Sequence, residues 1–301
     1  MTVAPPEQTA PDMRDVTTLI CGDLEVVIDP VFGARINSAR LGGHDILRPV
    51  LDETDPEPLQ AASFPLVPFS NRVIDGRFEW GGKVYDLPEN WDVEDNAIHG
   101  EGWKAPWREV RASDSLCEHV LTGTGWWPWL YECRQVTEIG PDWLRQTLTL
   151  TNRGASDMPA GLGFHPYFPR SRQTRLNFEA DYVWPPVGAP DFGRQSVTAA
   201  FDFSAEKSLG PEDFDHCFEG WKGRALISYP ETGLSLVVTG SSHARHCVVY
   251  LPDGEPYFCF EPVSHLSGAL NGVAGSNSSL TRLRPGESLS FSMQIQAHQA
   301  R

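Results

Sequence analysis

The chain contains no apolar run of about eighteen residues, so a transmembrane helix is excluded. It is short of positive charge. Against 40 acidic residues stand 24 basic ones, a formal net charge of −16. Nucleic acid and anionic membrane surfaces both require a positive footprint, so neither is expected as a partner. The six cysteines (Cys21, Cys117, Cys133, Cys217, Cys247 and Cys259) include no Cys-x-x-Cys pair, which removes one signature of structural zinc or redox chemistry. Residues 1–14, polar and proline-rich, lack the basic and apolar segments of a secretory leader and read as a loosely held tail. The expected location is the cytoplasm, with reduced, mostly buried thiols. No long run at i, i+3, i+4, i+7 spacing occurs, so helices should be few and short. Gly-x-Ser-x-Gly is missing, as is a glycine pattern that would cradle phosphate at a helix start. These gaps argue against an elbow-type hydrolase and against a nucleotide cofactor.

What the chain does have is turn formers and aromatics, with 27 Gly, 25 Pro and 10 Trp among its 301 residues. Period-two alternation dominates: Leu289, Phe291, Met293 and Ile295 alternate with Ser and Gln, and Leu144, Leu148 and Leu150 lie among Arg145, Thr147 and Thr149. Further strands are expected at Leu24–Ile28, Leu116–Leu121, Leu130–Ile139, Leu176–Ala180, Leu234–Val238, Cys247–Leu251 and Tyr257–Glu261. Turn sequences such as Gly42-Gly43, Asn152-Arg-Gly154 and Pro252-Asp-Gly254 punctuate them. Strands without intervening helices mean an all-β fold, either antiparallel sheets packed face to face or a barrel. The Pro-rich stretch Asp55–Leu66 reads as an ordered loop, and residues 15–298 as a single domain.

Unusual side chains concentrate in a few places. Asn71-Arg72 precede Asn96-Ala-Ile-His99-Gly100, where the guanidinium offers a fork of donors for hydroxyl or carboxylate oxygens. His99 beside a glycine allows close approach of a backbone or a ligand. In Gly163-Phe-His165-Pro166-Tyr167-Phe168 the proline holds His165 in extended backbone, and imidazole titrates near neutrality, which suits proton transfer. Glu261, in Phe260-Glu261-Pro262, ends an apolar strand, where a carboxyl is costly unless paired or used. Asp215 lies among aromatics in Phe214-Asp215-His216-Cys217-Phe218. Each also has a plain reading: a salt-bridged Arg, a His in an aromatic cluster, a strand-end charge, an acidic turn. His243-x-x-His246, with His216-Cys217 and Cys247, does not match a zinc pattern, and no metal is expected.

Taken in order, these motifs resemble the aldose 1-epimerase (galactose mutarotase) family over about residues 20–295. The resemblance implies a large antiparallel β-sandwich of the galactose mutarotase-like supersandwich type, with few short helices. It implies that His165 is the general acid at the ring oxygen and Glu261 the general base at the anomeric hydroxyl. Arg72, His99, Asp215 and Asn71 would bind and orient a monosaccharide. No cofactor is implied, and the chain would act as a monomer or homodimer.

The family commonly follows its Glu with Gln and a Pro-Asp-Ala segment, whereas Glu261 here precedes Pro262-Val-Ser-His265-Leu-Ser-Gly268. The sugar-contacting loop therefore does not carry over. Pro166 stands where the hexose-phosphate relatives typically have Thr, which points to a neutral aldose. On reference pKa values of about 4.3 and 6.5, Glu261 would be ionised and His165 protonated beside a carboxylate. Trp91, Trp103, Phe69 and Tyr167 are candidates for stacking on the sugar. Two readings compete with a mutarotase: a sugar-binding or sensing protein without turnover, and a metal-dependent isomerase that a chelator would silence.

Overall fold

Alternation in the sequence becomes alternation in burial. The computed structural model describes residues 16–299 apart from 53, 54, 56, 92, 94, 211 and 212; the tail expected at 1–14 lies outside them. Along the strand Ser288–Gln299, residues Leu289, Phe291, Met293 and Ile295 are buried while the serines and glutamines between them meet solvent. This strand pairs antiparallel with Trp143–Asn152, setting Leu144 opposite Ile295, Leu148 opposite Phe291 and Leu150 opposite Leu289. Apolar side chains thus face each other across the ladder, the unit from which sheets gain stability.

Among the described residues, eleven strands form one sheet and nine form another, and their named pairings are antiparallel. The helical turns are short 3-10 pieces, such as Pro58–Gln60 and Val273–Ser279. The larger sheet carries Ser63–Leu66, Gly163–Pro169, Tyr257–Val263, His246–Leu251 and Phe214–Glu219 as successive neighbours at its centre. Between the sheets lies the main core, where Phe164 meets Phe291 at 6.0 Å and Phe178 meets Phe260 at 5.3 Å. The opposite face of the larger sheet has its own apolar cluster, including Phe64, Leu66, Trp103, Tyr167, Cys259 and Leu266. Central strands are therefore buried on both faces, and Gly163–Pro169 reads as a continuous apolar run.

The stretch Asp55–Leu66 is not only a loop. It holds the Pro58–Gln60 turn and then the internal strand Ser63–Leu66. Proline argues against a central strand, but pairing with Arg35–Leu41 is confined to Ile36 and Ser63. Pro65 is paired with Phe164 on its other side, but toward Arg35–Leu41 it lies past the end of the ladder, where no strand partner awaits an N–H.

Two further prolines shape the centre. Gly163–Pro169 and Tyr257–Val263 pair at Gly163 with Val263, and again from Tyr167 with Cys259 onward; between these points the ladder is open. Pro166 and Pro262 lie in that gap and have no N–H to donate. The register on either side sets His165 directly across from Glu261, on the face away from the main core.

Phe291 is fully buried against Phe164. Phe291→Ala should lower the unfolding free energy by about 3–5 kcal/mol, read as a lower urea midpoint at unchanged slope.

Candidate functional site

Directly opposed cross-strand residues have neighbouring Cβ atoms. His165 Nε2 accordingly lies 3.3 Å from Glu261 Oε1, and both side chains are almost wholly buried. The imidazole packs against both Phe64 and Tyr167, with ring centroids 4.6 and 4.8 Å away, which restricts its plane. Glu261 Oε2 is buried without a hydrogen-bond partner among the described residues. One carboxyl oxygen thus faces His165 and the other remains available as an acceptor.

The second part of the site comes from two irregular segments held against each other. Asn71 and His99 both have left-handed backbone, with φ of 62° and 57°. Non-glycine residues pay for that conformation, and such strain gathers at working sites. Reciprocal bonds hold it: the His99 amide donates to the Asn71 carbonyl at 3.0 Å, and the Asn71 amide donates to His99 Nδ1 at 3.1 Å. Because Nδ1 accepts, the neutral ring carries its proton on Nε2 and presents it as a donor. The close approach at Gly100 is made by backbone: a Cβ there would fall 2.1 Å from the Val67 carbonyl oxygen. Arg72 then reaches Asp215, their charged atoms 3.8 Å apart and both partly exposed.

Burial sets the charges. It pushes Glu261 well above the ordinary carboxyl range, Asp215 adds to the rise, and Arg72 opposes it. Burial drives His165 down to about 3, with the Arg48 guanidinium acting in the same direction. His99 is lowered by burial, by His165 and by Arg72. Both shifts run against the expectation of an ionised Glu261 beside a protonated His165. Desolvation disfavours the charged form of each group.

A cavity of about 150 Å³ opens onto this pair, and Asn71, Arg72, His99, His165, Asp215 and Glu261 all line it. Every expected site residue is therefore brought to one place. The aromatic candidates divide. Trp91 and Tyr167 line the cavity, whereas Trp103 is fully buried beneath His99 and Phe69 packs on Trp126 and Trp127 in the main core. Both rings serve packing. Of the histidines and cysteines weighed for zinc, His216 lies between Phe201 and Phe214, and His243 is exposed.

Comparison with known proteins identifies the family and the fold. The aldose 1-epimerase family model matches residues 16–296. The chain belongs to the aldose 1-epimerase family. Among relatives of this epimerase-family chain is an uncharacterised Escherichia coli K12 protein, YphB, 34% identical over 246 residues that span 78% of this chain and 83% of that one. A solved E. coli K12 structure, provisionally named an aldose 1-epimerase, superposes with a TM-score of 0.87 at 29% identity, covering 96% and 100% of the two chains. A galactose 1-epimerase from Lactobacillus acidophilus NCFM shares the fold, with a TM-score of 0.76 at 20% identity and 94% of each chain covered.

Several residues of this family member escaped the sequence reading. Tyr250 and Tyr257 also line the cavity. Tyr257 lies four residues before Glu261 on one strand, so period two alone assigns it to the same face. Arg48 carried no motif signal; it is held between Tyr167 and Tyr257, 4.1 and 4.4 Å from their ring centres, and donates to the carbonyls of Leu59 and Ala61. The segment that departs from the family after Glu261 has a structural task. His265 Nε2 accepts from the Ser70 amide at 3.0 Å, and Asn271 accepts from the Ile74 amide and donates to the Arg77 carbonyl. Both clamp the backbone that carries Asn71 and Arg72. A Cβ on Gly161 would strike the His265 ring, so glycine is required opposite it.

Six of the nine histidines have lowered pKa values, chiefly through burial: His99, His119, His165, His216, His246 and His265. A histidine with a folded pKa below its unfolded value of about 6.5 takes up its proton more readily when unfolded. Stability should be complete above that value and fall steadily as the pH drops toward the folded values of about 3 for His165 and His246 and about 4 for His265. Thermal midpoints measured from neutral pH downward should show this decline.

Proposed function

We propose that the chain is a cofactor-independent mutarotase, a single domain over residues 15–298 that interconverts the α and β anomers of a neutral aldose. The observation that carries this reading is the pairing of Glu261 with His165 at 3.3 Å across an open ladder, at the wall of a cavity that also holds Arg72, His99 and Asp215.

The anomeric oxygen and the ring oxygen of an aldose are bonded to the same carbon. Two proton carriers this close can serve both oxygens at once. In this reading the pair shares one proton in the free site, and it rests on Glu261, whose carboxyl is raised while His165 is lowered. Sugar hydroxyls entering the cavity supply hydrogen bonds to an ionised carboxylate, and the proton passes to His165. Glu261 then takes the proton of the anomeric hydroxyl while His165 donates to the ring oxygen. The C1–O5 bond breaks and the aldehyde forms. Rotation about C1–C2 and the reverse transfers close the other anomer, returning both protons to where they began. His99 offers its Nε2 proton to a sugar oxygen, Arg72 and Asp215 orient further hydroxyls, Asn71 shapes the loop, and Trp91, Tyr250 and Tyr257 supply apolar surface to the ring.

Charge supports a neutral substrate. Arg72 is the sole Arg or Lys among the lining residues and already faces Asp215, so a phosphate there would also meet two carboxyl groups.

Anomer exchange in freshly dissolved aldoses, followed by polarimetry or saturation-transfer NMR, tests this directly. Glu261→Gln should slow exchange by ~10²–10⁴-fold with the fold intact. Rates equal to buffer across a panel of sugars would overturn the reading, and saturable binding without acceleration would favour a sugar sensor. The wild-type kcat/KM should stay level as the pH falls through about 6.5, because a second proton enters the pair only near the lowered His165 value of about 3.

A further inference from the structure

Cys259 lies beside the proton-transfer pair and takes no part in the reaction described above. It is two residues before Glu261 on Tyr257–Val263, so both side chains leave the strand on the same face. It pairs across the ladder with Tyr167, which makes it the diagonal neighbour of His165. The thiol is free and wholly buried. The ligating atoms of His165, Cys259 and Glu261 all lie within 4.8 Å of one another.

We propose that His165, Cys259 and Glu261 form a binding site for a thiophilic divalent cation, Zn²⁺ above all, and that occupancy of this site switches off proton transfer. Binding itself is independent of the reaction; the inhibitory part rests on the proposed roles of His165 and Glu261.

The geometry suits a tetrahedral ion. Zinc bonds of about 2.0–2.3 Å to nitrogen, oxygen and sulfur place neighbouring donors roughly 3.3–3.6 Å apart. His165 Nε2 and Glu261 Oε1 already stand at 3.3 Å, so an ion can take the place of the proton they share. The sulfur has to close by on the order of 1 Å, a small side-chain adjustment, to complete three protein ligands. The fourth position faces the cavity and is left to water. One nitrogen, one sulfur and one oxygen donor suit Zn²⁺ or Co²⁺ and do not suit Mg²⁺, which demands six hard oxygens in octahedral geometry.

Charge balance favours the same ion. A neutral imidazole, a thiolate and a carboxylate carry two negative charges between them, so a divalent cation leaves the buried cluster neutral. The thiol proton and the shared proton leave to solvent on binding. Because the ion occupies the atoms that would contact the anomeric and ring oxygens, sugar and metal should exclude one another.

Co²⁺ added to metal-free protein is the direct probe. A thiolate-to-cobalt charge-transfer band with intense tetrahedral visible bands is expected, and Zn²⁺ should displace them; Mg²⁺ should leave them unchanged. Cys259→Ser and Cys259→Ala should each remove the charge-transfer band, and His165→Asn should remove the tetrahedral bands. In anomer exchange, Zn²⁺ should inhibit reversibly, with recovery on EDTA, and saturating sugar should raise the Zn²⁺ required. Both cysteine variants should keep exchange and need at least ~10-fold more Zn²⁺ for half-inhibition, as loss of a ligand weakens binding no less than loss of an outer partner. Absence of the band in wild-type protein, or its persistence in both cysteine variants, would overturn the site. Unchanged Zn²⁺ sensitivity in those variants would overturn the inhibitory role. Failure of anomer exchange in every sugar would sink the mutarotase reading alone, because the cobalt spectrum is read without substrate.

Discussion

The burial of an acid directly against a base governs the rest of this molecule. A carboxyl and an imidazole removed from water are costly to keep charged, and a nearby neutral arrangement sharing one proton is the economical state. Glu261 and His165 meet under this constraint because two strands present them in register at a point where prolines have opened the ladder. Apolar rings close around them: Phe64 and Tyr167 both pack on His165, with Trp103 beneath His99. The packing that stabilises this part of the fold therefore also sets the direction in which both groups are shifted.

The larger sheet works on both faces. Toward the smaller sheet its side chains form the main core, with Phe164, Phe168, Phe258 and Phe260 facing inward. On the other face the alternate residues meet the loops and build the cavity. The cavity's second wall depends on backbone in unusual conformation, held by reciprocal bonds between Asn71 and His99 and by His265 and Asn271 from the segment after Glu261. That segment departs from the family pattern in sequence, yet it braces the residues that match the pattern.

Much of this was legible in particular residues. The strand Ser288–Gln299 could be read from Leu289, Phe291, Met293 and Ile295, because side chains alternate across a half-buried sheet whatever the partner strand. All six candidate site residues line one cavity, in keeping with the motifs that suggested them. Other features were hidden for identifiable reasons. Ser63–Leu66 looked like loop because a proline cannot donate to a ladder, and which neighbouring strand would need its N–H is a tertiary matter. Trp103 and Phe69 looked available for a ligand, since an aromatic's composition does not distinguish a buried ring from an exposed one. Arg48 has no motif at all; only the approach of Tyr167 and Tyr257 makes it part of the site's surroundings.

By itself the sequence determined the all-β character, the alternating faces, the turn positions and which polar residues would be worth following. These depend on local geometry, where each residue's direction follows from its neighbours in the chain. The tertiary structure alone decided that His165 stands opposite Glu261, that Cys259 lies within reach of both, and that burial shifts the pair. Those facts depend on the register between strands about ninety residues apart in sequence, and on burial, which no single strand can produce on its own.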